Sequence, residues 1–450
     1  MNKTNVLIIG GSAAGLATAN SGKTNYPDKD FLLLRKEKEV MVPCGIPYIF
    51  GSLESSNQNV LPGDAMYDKL GIRYQQAIVK SINRDEKTVS LDDGEKIGYE
   101  KLVLATGSRP RIPKWLKGSN LENVFTIPKN KIYLDEMKEK MADAKNVVVI
   151  GAGFIGVEMS DEMRKQGKDV TLVEKFPTIL WTAFDREIAE QAEDLLREND
   201  IKIKTNCGVK EISGENGSAQ KVILEDDTVL DADAVVLAMG YEPNSELAAK
   251  SGISLEENNS ISVDEYMRTN DPDIIAVGDC AEKRHFVTRK LSNVMLASTA
   301  CAEGRIAGRN LYSLSAVKTF SGTISIYSTA IRDYALGTAG VTEGEARMEG
   351  FDFVTGYFQG MDRHPGKLPN MHKQSVKLIV ARESGVIIGG EAIGGSSVGE
   401  LTNLLGFIVQ NRTTIQNLIT SQIGTHPMLT GSPAAYPLMK AAEMAYQKLK

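Results

Sequence analysis

Residues 147–160 read VVVIGAGFIGVEMS: an apolar run of strand length, then Gly151, Gly153 and Gly156 at GxGxxG spacing, then a helix-like segment opened by Phe154 and Ile155. Such glycines permit a tight turn and let the backbone approach a pyrophosphate at a helix N-terminus. The next strand-like run, residues 170–173, ends at Glu174, 23 positions beyond Gly151 and near the ~20 expected of a carboxylate that holds ribose hydroxyls. A carboxylate there accepts hydrogen bonds from the 2′-hydroxyl and repels a 2′-phosphate, which favours NADH over NADPH; Lys175 beside it weakens that preference. VVLAMG, ending in Gly240, closes the unit.

A related pattern opens the chain. NVLIIG is followed by Gly10-Gly11-Ser12-Ala13-Ala14-Gly15 and an alanine-rich helical segment, with Ser12 where the middle glycine should stand. The second strand, residues 30–34, should end in an acid and instead runs into Arg35-Lys36-Glu37. Either Glu37 acts from a shifted position, or Arg35 and Lys36 contact the ribose or phosphate differently. KLVLATGSRP places Ala105, Thr106 and Gly107 at a strand's carboxyl end, where ligands of open sheets collect, and IIAVGD ends in Asp279, which reads as a partner for a ribityl chain. Residues 81–99 read as a hairpin. From about Gly322 strands come first and helices after, as in a separate α+β unit.

The 450 residues exceed one core and suggest about three domains. Net charge is −6 without basic runs, so no nucleic-acid partner is expected. Apolar runs such as residues 234–239 fall far short of the ~20 residues of a membrane span, and the N-terminus passes into VLIIG without a leader, so a cytoplasmic location is expected. The cysteines, 44, 207, 280 and 301, show no CxxC spacing, and the histidines, 285, 364, 372 and 426, no metal spacing. Cys207, Cys280 and Cys301 read as packing residues. Cys44 differs: MVPCGIPY sets it between Pro43 and Pro47. Gly45 and Pro47 suit a helix starting directly after Cys44, whose N-terminus would favour a thiolate.

Taken in order, GGSAAG, LATGSRP, GAGFIGVE, AVGDCAE and LASTACAEGRIAGRN resemble the pyridine nucleotide-disulfide oxidoreductases over nearly the whole chain. The resemblance implies an α/β fold with two Rossmann-like dinucleotide-binding domains and a C-terminal α+β dimerisation domain. FAD would bind residues 1–114 with 246–321, through the first loop, Pro43, Val79, Asp279, Leu296, Ala297 and Ser298. NADH or NADPH would bind residues 115–245, and residues 322–450 would form a homodimer and contribute to the partner's active site. The redox pair CxxxxC is absent, since Tyr48 and Ile49 follow Cys44 without a second cysteine. That resembles the single-cysteine branch of coenzyme A disulfide reductases, NAD(P)H sulfur or persulfide reductases, NADH oxidases and NADH peroxidases, and VPCGIPY is most similar to the coenzyme A-dependent enzymes. Ala13 stands where peroxidases and oxidases of the branch usually carry a histidine. Arg363-His364-Pro365-Gly366 and Gly424-Thr425-His426 stand where tyrosine motifs are expected, leaving His364, His426 and Tyr436 as candidate acids. Glu158 is expected to orient the nicotinamide, and Phe154 either covers the flavin or packs in the core. Lys23 and Arg73 either meet coenzyme A phosphates or are solvated. The expected function is reduction of a disulfide, persulfide or polysulfide through Cys44. The alternatives are an NADH oxidase cycling Cys44 through a sulfenic acid, and a flavoprotein passing electrons to a protein partner.

Overall fold

The runs of β-branched and leucine residues near both glycine loops become parallel strands buried on both faces, as covered parallel sheets require. In the computed structural model, which describes residues 2–61, 65–317 and 322–449, the first sheet orders Arg73–Gln76, Phe31–Arg35, Asn2–Ile9 and Lys96–Leu104, with Ile274–Ala276 beside the last, all parallel. The expected hairpin extends this sheet as antiparallel strands Thr88–Leu91 and Val79–Asn83. Ser321, at a proposed domain boundary, lies outside the described residues.

A second parallel sheet orders Lys202–Lys204, Asp169–Val173, Asn146–Ile150, Ala234–Leu237 and Val124–Thr126. The chain enters and leaves this unit through one antiparallel ribbon, Ser108–Pro110 against Tyr241–Pro243. Asn244 locks its base: its N–H donates to the Gly107 carbonyl at 2.9 Å and its amide to the Thr106 carbonyl at 2.9 Å, while the Thr106 hydroxyl donates back to the Asn244 carbonyl at 2.6 Å.

The C-terminal sheet is antiparallel, ordered Tyr327–Ile331, Tyr334–Gly340, Ile387–Gly394, Lys373–Ala381 and Phe353–Met361. Helices Val398–Gln410 and Pro437–Gln447 bury Leu401, Leu405, Leu438 and Ala441 against one face. Against the opposite side stands the helix Arg186–Glu198 of the second unit, joined by a buried charge cluster. Lys377 lies 3.1 Å from Asp185, 3.1 Å from Glu187 and 2.7 Å from Glu343. Asp185 accepts from the Glu343 and Gly344 N–H groups, and its own N–H donates to the fully buried Glu391. Burial, then the Asp185 charge, pushes the Glu391 carboxyl well above the usual carboxylate range.

Candidate active site

The two glycine loops are built alike. At Gly10 φ is +118° and a Cβ would stand 2.0 Å from the Ala105 carbonyl oxygen; at Gly151 φ is +100° and a Cβ would stand 2.5 Å from the Ala238 carbonyl oxygen. Glycine alone permits that turn and that approach. Each loop feeds a helix, Ala13–Asn25 after Ser12 and Phe154–Lys165 after Gly153, whose first turn carries neither a capping side chain nor an acid. Those amides are available to an anion. Ser12 stands in for the missing glycine because its φ is −92°, which any residue adopts.

A third helix, Ala297–Arg309, begins at Leu296 with the same bare first turn. It runs parallel to Ala13–Asn25, since Gly304 and Gly308 let it close on the backbone: their Cβ positions lie 2.8 Å from the Ala14 carbonyl oxygen and 2.6 Å from that of Thr18. Both N-termini therefore open at one edge, which gathers Ala13, Ala14, Ala297 and Ser298. Cys301 bonds there to the Ala13 carbonyl at 3.8 Å. Asp279 joins them through Gly278, where a Cβ would stand 2.7 Å from Ala14 Cβ. Its Oδ2 accepts from Lys129 Nζ at 2.6 Å and Ser108 Oγ at 2.7 Å. Desolvation works against the Asp279 charge, but Lys129, Ser108 and Lys283 together outweigh it and hold the carboxyl below the usual range.

Arg35 lies against the first loop, with its Cβ 3.2 Å from the Cβ position of Gly11, and its guanidinium lies over the rings of Tyr67 and Tyr74 at 5.5 and 4.8 Å. Lys36 pairs with Glu37 at 3.4 Å. Arg35, Lys38, Val40, Tyr74 and Gln76 line a recess of about 950 Å³. Val79 begins the hairpin strand beyond it. In the second unit Glu174 is pinned, accepting from the Ala152 N–H at 2.8 Å and the Phe176 N–H at 3.0 Å, while Lys175 lies over the Phe176 ring at 4.7 Å. Gly240, with φ +87°, turns the chain from the closing strand into the ribbon.

Cys44 does not precede an α-helix: the helix that the sequence expects directly after it is a short 3₁₀ helix begun by Pro47. Pro43 and Pro47 each lack an N–H and each start a fresh turn, so the segment folds as two short 3₁₀ turns, Pro43–Gly45 and Pro47–Phe50, with Cys44 inside the first. Cys44 is the exposed member of the four cysteines, yet enough protein surrounds its sulfur that desolvation, followed by the Glu158 charge, holds the thiol above its ordinary value, with Lys129 opposing. Asn59 clamps the turn: its amide donates to the Val42 carbonyl at 3.0 Å, and a Cβ on Gly45 would fall 1.9 Å from its Oδ1.

Glu158 lies in the second turn of Phe154–Lys165, where Oε1 accepts from Thr329 Oγ1 of the C-terminal sheet at 2.7 Å. Desolvation raises its carboxyl to about 7, opposed by the Thr329 bond and helped by Glu162. Burial and then Glu158 push the Tyr48 hydroxyl up, so it stays protonated. The Phe154 ring stacks on Tyr327 at 4.9 Å and meets Phe184 at 6.1 Å.

The C-terminal candidates form a different group. His364 Nδ1 meets the Thr430 carbonyl at 3.0 Å, the His426 N–H donates to Thr430 Oγ1 at 3.0 Å, and Tyr436 caps the last helix and packs on its core. None of them is among the groups that act most strongly on Cys44 of the same chain. Lys23 is committed to the carbonyls of Pro27 and Lys29, and Arg73 to Asp30. Lys129, Asn59 and Thr329 escaped sequence reasoning, since no motif marks them, and Ser108, though inside LATGSRP, was not singled out because its partners Lys129 and Asp279 come from distant segments. Among the described residues no cluster of three metal-ligating side chains occurs, and no helix is long and apolar enough to cross a membrane.

Two nucleotide-type loops with a cysteine between them define a flavin- and nicotinamide-dependent oxidoreductase, and the comparisons agree. The family described as "Pyridine nucleotide-disulphide oxidoreductase" matches residues 4–304 and its dimerisation domain residues 326–435, so the chain belongs to this family. It is 31% identical to an "NADH oxidase" of Methanocaldococcus jannaschii, over 98% of this chain and 99% of that protein. It is 30% identical to an "NAD(P)H coenzyme A polysulfide/persulfide reductase" of Pyrococcus horikoshii, over 98% of each. The solved structure of a NAD-dependent persulfide reductase from A. fulgidus superposes with a TM-score of 0.91 at 31% identity, covering 99% of this chain and 83% of that one. The family uses FAD and NAD(P)H, and this chain fits both: the bare helix N-termini suit pyrophosphates, and Asp279 and Glu174 are carboxylates placed beside the two loops. The chain is an NAD(P)H-dependent enzyme.

Proposed function

We propose that this chain reduces an external disulfide, persulfide or polysulfide with electrons from NADH or NADPH, using Cys44 as its single redox thiol, and that coenzyme A-borne sulfur is the favoured substrate. The observation that carries the reading is the place of Cys44: it is the one exposed cysteine, and its thiol feels the charges of Glu158 of the nicotinamide unit and of Lys129 and Asp279. FAD, bound along the first loop and the third helix, supplies the exchange of a nicotinamide hydride for an electron pair that sulfur accepts. The Cys44 thiolate attacks a sulfur–sulfur bond, forming a mixed disulfide and releasing a thiol or a shorter chain, and is regenerated when the mixed disulfide takes up two electrons. The flavin-unit roles fall to Gly10 through Gly15, Arg35, Pro43, Ala105 to Gly107, Asp279 and Leu296 to Ser298. Glu174, pinned by two amides, presents a fixed carboxylate to a 2′-hydroxyl and supports NADH. Phe154, half-buried against Tyr327, is placed to swing aside for the nicotinamide.

The dimerisation match supports a homodimer in which the segment around His426 completes the partner's cleft, and exposed Phe407, Met428 and Leu429 offer an apolar surface for it. A cytoplasmic location accords with reduced, unpaired cysteines. The test is anaerobic. Cys44→Ser should abolish sulfur-dependent NADH oxidation while keeping bound FAD, and intact mass should show a coenzyme A adduct on the wild type only. A second reading, an oxygen-reducing NADH oxidase, draws on the equally similar oxidase relative; rapid oxygen consumption without any sulfur substrate would select it.

A further inference from the structure

We propose that Phe176 and Trp181 seat the adenine base of NADH or NADPH, which makes the turn joining them the base-recognition element of the nicotinamide unit. The proposal is built onto the reading of Glu174 as the ribose carboxylate, because the hydrogen bonds that fix Glu174 also place the two rings.

The segment from Glu174 to Trp181 is fastened to the second glycine loop at both ends. At one end Glu174 accepts from the Phe176 N–H at 3.0 Å and from the Ala152 N–H at 2.8 Å. At the other the Leu180 N–H donates to the carbonyl of that same Ala152 at 2.8 Å. The Asn206 N–H holds the Phe176 carbonyl at 2.9 Å, and a following proline, Pro177, disfavours helical backbone at Phe176. Leu180 has φ +54°, a conformation that is costly for a branched side chain. The Ala152 bond and a 2.8 Å bond from the Ala183 N–H to the Leu180 carbonyl keep it there. The Leu180 side chain is buried, whereas Trp181 beside it is 44% exposed.

The turn brings the two rings to 6.2 Å between centroids and within 14° of parallel. A planar base laid flat against one ring is therefore flat to the other. Lys175 Nζ covers one face of the Phe176 ring at 4.7 Å, and the exposure of Trp181 leaves indole surface for a base to cover. The parts follow the order of an adenosine phosphate. The bare amides of the helix Phe154–Lys165 suit the phosphates, and Glu174, bonded to Ala152 of the same loop, suits the ribose. Phe176, bonded in turn to Glu174, and its parallel partner Trp181 come next, where the base lies. An indole that served only to close the turn would be buried with Leu180.

The chain has two tryptophans, Trp115 and Trp181, so Trp115→Phe leaves Trp181 as the sole indole reporter in FAD-loaded enzyme. ADP-ribose, which carries base, ribose and pyrophosphate without nicotinamide, should quench its emission saturably, and inorganic pyrophosphate should not. In calorimetric titrations Trp181→Ala and Phe176→Ala should each weaken ADP-ribose binding on the order of tenfold, while Trp181→Phe stays within about threefold of wild type. An indole emission unmoved at saturating ADP-ribose overturns the proposal. Glu174→Ala that loses binding while both ring variants bind like wild type keeps the ribose reading and overturns the base seat. A wild type that binds no ADP-ribose removes both.

Discussion

Replacing Glu158 by glutamine should make the protein more stable at alkaline pH and leave it unchanged in mild acid. The folded carboxyl titrates at about 7 against 4.5 for an ordinary glutamate. Between those values the native state holds a proton that the unfolded chain has lost, so the contribution of Glu158 to stability is complete below about pH 4.5 and declines as pH rises towards 7. At 1.36 kcal/mol per pH unit the decline is worth about 3 kcal/mol. Glutamine accepts the Thr329 bond as the neutral acid does and never ionises, so the variant avoids the loss. With an unfolding entropy of roughly 2.1 cal/mol/K per residue, this chain of 450 residues should gain about 3 °C in apparent midpoint at pH 8 and nothing at pH 4.5. Paired thermal scans by circular dichroism at one scan rate, with FAD bound in both proteins, measure the difference. A gap that stays constant with pH would show that desolvation does not govern this carboxyl.

Lys377→Met should remove about 3 kcal/mol, because it takes the buried cation from the half-buried carboxylates of Asp185 and Glu343; a lowered midpoint and faster limited proteolysis near residue 185 check it. Gly10→Ala should yield protein with at most about a tenth of the wild-type flavin absorbance, since the left-handed strain and the 2.0 Å approach to Ala105 fall at the loop itself. Gly151→Ala should keep its flavin and lose dinucleotide binding by a similar factor in fluorescence titration. Lys129→Met should slow iodoacetamide capture of Cys44 at pH 7 by a factor on the order of three, because Lys129 is the charge that favours the thiolate; unchanged capture would place Lys129 outside the reach of Cys44.

Much of the site was legible because its signals are local. A strand, three glycines and a helix occupy one consecutive run from Asn146 to Lys165, and the left-handed turns at Gly10 and Gly151 are conditions on single residues that the sequence displays directly. Arg35 shows where that legibility stops. The absence of an acid after Phe31–Arg35 was plain, but whether Arg35 or Glu37 faces the loop depended on Tyr67 and Tyr74, more than thirty positions away, which hold the guanidinium. The expected helix after Cys44 came out as a short 3₁₀ turn for a related reason. Glycine and proline were read as a helix start, whereas two prolines four residues apart interrupt the backbone donors twice and leave only short turns.

By itself the sequence determined the class of chemistry: two dinucleotide loops, one cysteine without a partner and a terminal α+β unit are properties of consecutive residues. Only the tertiary structure decided what the cleft can do with protons, because that depends on charges brought together from distant segments. Lys129 meets Asp279 across 150 positions and Thr329 reaches Glu158 across 171. Desolvation, which no local pattern encodes, then leaves Asp279 charged, Glu158 protonated near neutrality and the Cys44 thiol raised.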